Sequence, residues 1–446
     1  MSPEPIPSLF NLSPIVSSGT PSPAATGLPV TIRTKRERWS YAVRFTRSDA
    51  VPETPTTLLI QVSLCVTSGS VGVGCLNRSE TAFVDETFVT ETNAPTTVDV
   101  LVARPTDAGP LIIRNASTGG PSEVSVLGVE GFEVAVEDDN TARTPGLSDP
   151  RPCAEWSRYY GTRGETIAEK FRVQTYQCLD APVVLRWSDG MAIRILPREQ
   201  LSRALYVSGT YEPNTLCVLR SLLQPGDTFI DVGANTGVIS LVASRWVGPI
   251  GRIYSFEPSS REYDNLLANV MQNAAAGNVT PVRAAVTSAC GSATLRVAPS
   301  SHSGLNTLGG TFSYEVDAER LEQVATIALD DFVGQEQIAR VALVKVDVEG
   351  AEGAVLQGAA RVLRDLRPSL IFEVFSRSLK ANDSSVKDVE EQLRRGRYQL
   401  YSISDDSARL HPLDSLAARD EQNVVALPAE RSARILERLA MPSVDQ

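Results

Sequence analysis

The chain has 446 residues, 42% of them hydrophobic and 21% charged, which is enough for two cores rather than one. A formal charge of -11 argues against a broad basic face for nucleic acid, and no apolar run reaches the roughly 18 residues of a membrane span. The N-terminus lacks a basic stretch ahead of an apolar one, and Cys65, Cys75, Cys153, Cys178, Cys217 and Cys290 form no C-x-x-C pair or metal set, so they read as free thiols in a reducing, cytoplasmic setting.

Residues 1–28 are rich in Pro, Ser, Thr and Gly, cannot bury enough surface to offset chain entropy, and are expected to be disordered. From 29 to 136, short alternating runs such as 39–45, 58–66, 98–102 and 111–114 are separated by Pro, Gly, Asn and Ser, the pattern of an all-β sandwich of jelly-roll type. Trp39, Tyr41, Phe45, Phe83 and Phe88 alternate along these runs, which favours core packing over a carbohydrate-stacking platform. A polar stretch, 137–152, reads as a linker. The second domain, 153–446, begins with a short helix and a hairpin joining 183–187 to 191–195 across Ser188-Asp189-Gly190. Strand and helix patterns then alternate to about 375, which predicts a mostly parallel α/β sheet covered on both faces.

The chemistry concentrates where the apolar Thr228-Phe229-Ile230 runs into Asp231-Val232-Gly233-Ala234-Asn235-Thr236-Gly237 and then Val238-Ile239. This is a strand, a glycine turn and a helix start, the way α/β proteins build a nucleoside pocket, with helix N–H groups offered to an anion. The next strand, 251–256, ends at Glu257-Pro258, an acid placed to accept hydrogen bonds from ribose hydroxyls. The turn lacks the G-x-G-x-x-G that brings backbone against a pyrophosphate, which disfavours NAD. S-adenosylmethionine, with an adenosine, a carboxylate, an ammonium and no phosphate, fits it.

Taken together these motifs resemble the FkbM-type S-adenosylmethionine-dependent methyltransferases. The resemblance is carried by Gly209-Thr210-Tyr211-Glu212-Pro213, by Pro225-Gly226-Asp227 leading into the glycine turn, and by Phe256-Glu257-Pro258 with Asn265 and Asn269. Leu329-Asp330-Asp331-Phe332 and Lys345-Val346-Asp347-Val348-Glu349-Gly350-Ala351-Glu352 complete it, in the family's order, over roughly 180–376. It implies a seven-stranded Rossmann-like methyltransferase sheet with Asp347 at the carboxyl end of the fourth strand, facing the donated methyl group. It implies that Tyr211, Glu212, Asp231, Gly233, Ala234, Asn235, Gly237, Glu257, Pro258 and Ala285 form the cofactor site, the last near the adenine. Asn265 and Asn269 look structural.

Strand alternation puts 345, 347 and 349 on one face and the valines on the other. A plainer reading pairs Lys345 with Asp347 and sets Glu349 and Glu352 at a helix N-terminus. Methyl transfer from a sulfonium is an in-line displacement, so positioning dominates, and a placed base adds about 10²–10⁴-fold. The candidate bases are Asp347, Glu373 at the end of 370–373, and His302 in a polar loop expected over the sheet. A divalent metal on Asp347 and Glu373 is an alternative activator that two acids support weakly, and no metal is assigned. The expected acceptor is a hydroxyl of a sugar, glycan or secondary metabolite. The competing readings are a cofactor-fold protein that binds glycan or protein without turnover and, less favoured, an NAD-dependent oxidoreductase.

Overall fold

The computed structural model describes residues 15–16, 28–46, 57–92, 94–134, 167–187, 190–273, 276–312, 317–382, 384–404, 409–418 and 421–440. Contacts divide the chain into two compact units, Met1–Asp138 with Thr162–Cys178, and Asp139–Gly161 with Leu179–Gln446. The expected linker 137–152 lies outside the described residues, as does most of the expected tail.

In the first unit the strands are β1 (Ile15–Val16), β2 (Val30–Arg33), β3 (Tyr41–Phe45), β4 (Thr57–Ser68), β5 (Ser70–Asn77), β6 (Phe83–Thr90), β7 (Thr96–Val102), β8 (Ala108–Asn115) and β9 (Glu123–Val134). They form two sheets, ordered β1-β3-β8-β5-β6 and β2-β9-β4-β7. Alternate residues of both, including Ile60, Val62 and Leu64 of β4, Val71 and Val73 of β5, and Leu111 and Ile113 of β8, meet in one apolar cluster. Three expectations need correction. The tail is not structureless at Ile15–Val16, which pairs with Arg44 and Val43 of β3. Phe45 is core, but Trp39, Tyr41 and Phe88 are exposed. The helix expected to open the second domain, α1 (Ile167–Gln177), belongs with this unit. The reason is an edge strand: β7 leaves backbone groups unpaired, and Gln174 satisfies them, donating to the Leu101 carbonyl at 2.6 Å and accepting from the Ala103 N–H at 2.7 Å.

Cysteine usage also departs from expectation. Cys65, Cys75, Cys178 and Cys290 are free, but Cys217 is disulfide-bonded, which removes the free-thiol argument for a reducing compartment. Among the described residues no helix is long and apolar enough to cross a membrane.

The second unit opens with the expected hairpin, β10 (Val183–Arg186) and β11 (Ala192–Ile195), paired from Val183 with Ile195 to Arg186 with Ala192. There follow α2 (Gln200–Ser208), α3 (Pro213–Leu222), β12 (Thr228–Val232), α4 (Val238–Val247), β13 (Arg252–Phe256), α5 (Ser260–Gln272) and β14 (Val279–Val282). A small sheet of β15 (Ala285–Thr287), β16 (Gly291–Val297) and β17 (Arg320–Ala328) precedes α6 (Leu329–Gln335), β18 (Leu343–Val346), α7 (Glu352–Gly358), β19 (Ser369–Phe375), α8 (Ser376–Ala381) and α9 (Val386–Arg395). The unit closes with β20 (Tyr398–Ile403), β21 (Leu410–Pro412), β22 (Glu421–Pro428) and α10 (Ala429–Ala440). The main sheet runs β14-β13-β12-β18-β19-β22-β20-β21, eight strands where seven were expected, the additional one being the three-residue edge strand β21. Strands β14, β13, β12, β18 and β19 are parallel, and β22 enters antiparallel to β19.

Period-two alternation sorts the faces as expected. Ile230, Val232, Val344, Val346, Leu370 and Phe372 join one cluster with Phe332 of α6 and Leu356 of α7. Their neighbours Asp231 and Lys345, in register with each other, point to the opposite face. Chain order reverses between β12 and β18, so a crevice opens at their carboxyl ends. Gly233 sits there at φ 79°, and a Cβ on it would lie 1.8 Å from the Asp347 carbonyl oxygen. Gly233→Ala is therefore expected to cost about 3 kcal/mol in chemical denaturation, from clash and left-handed strain together. Gly334→Ala, on α6 with nothing near its Cβ, should be neutral or stabilising by up to about 1 kcal/mol.

Candidate active site

Strand register builds the site. Phe256, Val232, Val346 and Phe372 form one row across β13, β12, β18 and β19. The residue after each is Glu257, Gly233, Asp347 or Glu373, so separate segments of chain deliver three acids and a glycine to a single rim. That rim borders a cavity of about 670 Å³. Of the residues proposed from sequence, Tyr211, Glu212, Asp231, Gly233, Ala234, Asn235, Glu257, Pro258, Ala285, His302, Asp347 and Glu373 all line it.

Gly237 does not line it. It caps the start of α4 at φ 83°, and its missing Cβ makes room for Leu266 of α5, so it serves helix packing rather than ligand approach. The turn also offers fewer free donors than its sequence suggests. The Gly233 and Ala234 N–H groups both donate to the Phe256 carbonyl, at 3.0 and 2.9 Å, and the Asn235 N–H donates to Glu257 Oε2 at 3.0 Å. The turn thus spends these amides on shaping itself and on aiming Glu257.

Glu257 also accepts from the Ser259 N–H at 2.9 Å. Burial outweighs these bonds, and with repulsion from Glu262 it raises the carboxyl to about 8. Asp231 is fully buried: Oδ2 accepts from Ser240 Oγ at 2.6 Å, and Oδ1 has no hydrogen-bond partner. Burial raises its pKa, with Lys345 and Ser240 opposing. Glu212, at φ 43° just before α3, is likewise raised by burial against the pull of Lys345, and its charge is the main reason the Tyr211 hydroxyl titrates well above its usual range.

Lys345 is the cation these acids share. Its Nζ donates to Asp347 Oδ2 at 2.9 Å, and although burial opposes its charge, Asp347, Asp231 and Glu212 hold its pKa above the ordinary lysine value. The plainer reading of Lys345 and Asp347 as an ion pair is thus present inside the site itself. Asp347, Glu349 and Glu373 each bring a carboxylate oxygen within 4.8 Å of the others, a spacing that can share a proton or a cation. Glu349 is held at φ 52°, its carbonyl accepting from Thr307 Oγ1 at 2.9 Å and Asn382 Nδ2 at 3.1 Å. Glu352, at the start of α7, accepts from the Gly350 N–H, and burial raises it to about 7.

His302 lies in a 3₁₀ segment, Ser300–Leu305, pinned where Ser303 Oγ donates to Glu199 Oε1 at 2.7 Å. Glu199 caps α2 through the N–H groups of Leu201 and Ser202 and also lines the cavity. Sequence reasoning missed it, since glutamate is an uncommon N-cap and its partner is 104 residues away. Asn269, by contrast, is structural as expected, donating to the Thr236 carbonyl at 2.8 Å and accepting from the Arg194 N–H at 2.8 Å.

Residues 231–400 match a family model described as the methyltransferase FkbM domain. The hexuronic acid methyltransferase AglP of Haloferax volcanii is 29% identical over 152 residues, 33% of this chain and 58% of AglP. The 31-O-demethyl-FK506 methyltransferase FkbM of Streptomyces tacrolimicus is 31% identical over 161 residues, 30% of this chain and 60% of that protein. The chain therefore spans about three fifths of the length of these relatives. A solved methyltransferase FkbM from Methylobacillus flagellatus overlaps 61% of this chain and 65% of its own at 14% identity, with a TM-score of 0.30.

Replacing Lys345 by Met leaves Asp231, Asp347 and Glu212 without their cation and should cost about 3–5 kcal/mol at pH 7. The sign with pH follows. Asp231 and Glu212, already raised by burial, lose the opposing pull of Lys345 and titrate still higher, so the variant's folded state binds more protons than the unfolded chain, and the deficit should shrink as pH falls toward 5. Urea denaturation of both proteins at the two pH values checks this.

Proposed function

We propose that this chain, whose residues 231–400 match the methyltransferase FkbM domain model, transfers a methyl group from S-adenosylmethionine to a hydroxyl oxygen of a sugar, glycan or secondary metabolite. The observation that carries the reading is the registered row in which Glu257 and Asp347 flank the glycine turn, on a cavity whose lining sets Glu199, Glu212, Asp231, Glu257, Asp347, Glu349 and Glu373 against one lysine. Such a lining suits a sulfonium and an ammonium and opposes a pyrophosphate.

Two features fit the cofactor in particular. The unpartnered, fully buried Asp231 Oδ1 is an acceptor awaiting a donor, which the ammonium would supply, and Gly233 lets the turn beside it pack against the Asp347 carbonyl, where a Cβ could not stand. Glu257 would accept from the ribose hydroxyls, and the apolar Ala284, Ala285 and Leu295 would receive the adenine. Bound S-adenosylmethionine supplies an electrophilic methyl group. Asp347, Glu373 and His302, which line the cavity, would orient the acceptor hydroxyl and take its proton, with Lys345 bonded to Asp347. A hydroxyl acceptor agrees with the relatives, one named for hexuronic acid and one for a 31-O-demethyl compound. We read the two sheets of the first unit, which share one core, as an accessory β-sandwich.

Isotope-labelled S-adenosylmethionine incubated with sugars, uronic acids and polyhydroxylated metabolites tests the proposal. Label transferred to an oxygen supports it, and cofactor binding without transfer across the panel would favour the non-catalytic reading. Asp347→Asn should lower kcat about 10²–10⁴-fold with little change in cofactor affinity. Hydroxyl donors bind the ionised form of Glu257, so binding should release a proton near neutral pH, and affinity should rise with pH up to about 8 and level off above it. Glu257→Gln should abolish that pH dependence and weaken binding by about 1–3 kcal/mol, read by titration calorimetry in buffers of different ionisation enthalpy.

A further inference from the structure

The first unit carries a feature that methyl transfer does not use. The outer face of sheet β1-β3-β8-β5-β6 presents Trp39, Tyr41 and Phe88, exposed at 40%, 38% and 54%. Tyr41 and Phe88 lie in one cross-strand row, Tyr41 opposite Arg114, Arg114 opposite Gly72, and Gly72 opposite Phe88. Glycine in that row leaves room for its neighbours, since a Cβ on Gly72 would press on the side-chain ends of Glu86 and Phe88. Trp39 stands at φ 69° with its ring edge-on to Phe88, centroids 5.8 Å apart, and with the Arg38 and Arg114 guanidiniums 4.3 and 4.4 Å from its centroid. Arg114 is committed to a bidentate pair with Glu86. Arg38 is exposed and has no carboxylate partner among the described residues.

The segment leading into Trp39 is basic. Arg33, Lys35, Arg36 and Arg38 are all exposed, with only Glu37 among them, on a chain of net charge -11. None of the four has an ion pair among the described residues. The segment is nevertheless built rather than loose. The buried Asn115 Nδ2 donates to the carbonyls of Lys35 and Glu37, the Trp39 N–H donates to the Asn115 carbonyl at 2.7 Å, and the Thr34 N–H donates to the Ser122 carbonyl at 2.8 Å.

We propose that this face binds an acidic saccharide chain, its sugar rings on Tyr41 and Phe88 beside the Arg38-capped Trp39 and its carboxylates on Arg38, Arg36 and Lys35. Exposed aromatics beside arginine are a recurrent binding composition, and fixed backbone lowers the ordering cost of using them. Charge complementarity selects the occupant: unpaired cations call for acids, and the exposed rings of Tyr41 and Phe88 beside them suit the faces of sugar rings. A DNA strand has a phosphate at every step, a denser line of charge than these few cations match. The inference is independent of the methyl-transfer reading.

The test is titration of the full-length protein with an oligogalacturonate, a neutral galacto-oligosaccharide of equal length and oligo(dT), followed by calorimetry and tryptophan fluorescence. The expected result is salt-sensitive binding of the oligogalacturonate at least tenfold tighter than either competitor. Trp39→Ala and Phe88→Ala should each weaken it at least fivefold, and the double variant Arg36→Ala/Arg38→Ala should erase the preference for the acidic sugar. Because Trp39 sits at an unusual φ, the exposed Phe88 variant and an unchanged melting curve guard against misfolding. Met271→Ala, exposed in the second unit, should bind as wild type. Equal binding of acidic and neutral sugars, tighter binding of oligo(dT), or undiminished binding by folded Trp39 and Phe88 variants overturns the proposal.

Discussion

The acidic end of the second unit depends on the buried ammonium of Lys345, which lies in register with Asp231 on one side and bonds Asp347, just past the end of its own strand. Burying several carboxylates together is expensive, because desolvation and mutual repulsion both act against the charged forms. One cation placed among Asp347, Asp231 and Glu212 offsets part of that cost and sets where each acid points. What Lys345 does not neutralise remains as raised pKa values, at Glu257, Asp231 and Glu212, and as an unpartnered oxygen on Asp231. A site that keeps such unspent electrostatics is poised for a cationic ligand rather than for maximal stability.

The loops around the cavity are held by the same economy of polar groups. Three amides of the glycine turn bond to Phe256 and Glu257, so the turn fixes the acid on the neighbouring strand before any ligand arrives. On the far side, Ser303 reaches Glu199, and Thr307 and Asn382 bond the Glu349 carbonyl, locking a residue whose φ of 52° is costly for a side chain to hold. Asn269 of α5 and Asn273 at its C-cap do the corresponding work for the hairpin, bonding the β11 backbone at Arg194 and Ala192. Rigid walls of this kind are what positioning catalysis needs.

The first unit follows a different logic. Its inner residues alternate into one core, yet the outer face of one sheet is neither plainly polar nor covered, and carries stacked aromatic and arginine side chains laid over glycine. Alternation alone sorts residues into two faces and does not say which face is inside. It also misses a bulge: the register of β3 shifts between Tyr41 and Val43, so Tyr41 faces outward while Phe45, four residues on, is core, and Trp39 and Phe88 are likewise exposed. Helix α1 was misplaced for a related reason: its docking on β7 through Gln174 is a polar contact with an edge strand, which leaves no periodic trace in sequence.

Local covalent and periodic constraints were legible in the sequence alone: the strand, glycine turn and helix at 228–243, the acid closing the next strand, the hairpin, and the opposite faces of Lys345 and its valine neighbours. These depend on residues a few positions apart, where backbone geometry leaves few choices. Tertiary structure decided the rest. It withdrew Gly237 from the cavity wall because Leu266 occupies the space beside it, and it spent the turn's amides internally. It also brought Glu199 to the cavity through the loop that carries His302, and turned three aromatic side chains to solvent. Each of those outcomes turns on which distant atoms come within about 4 Å, and that is settled by how whole elements pack, not by the order of neighbours along the chain.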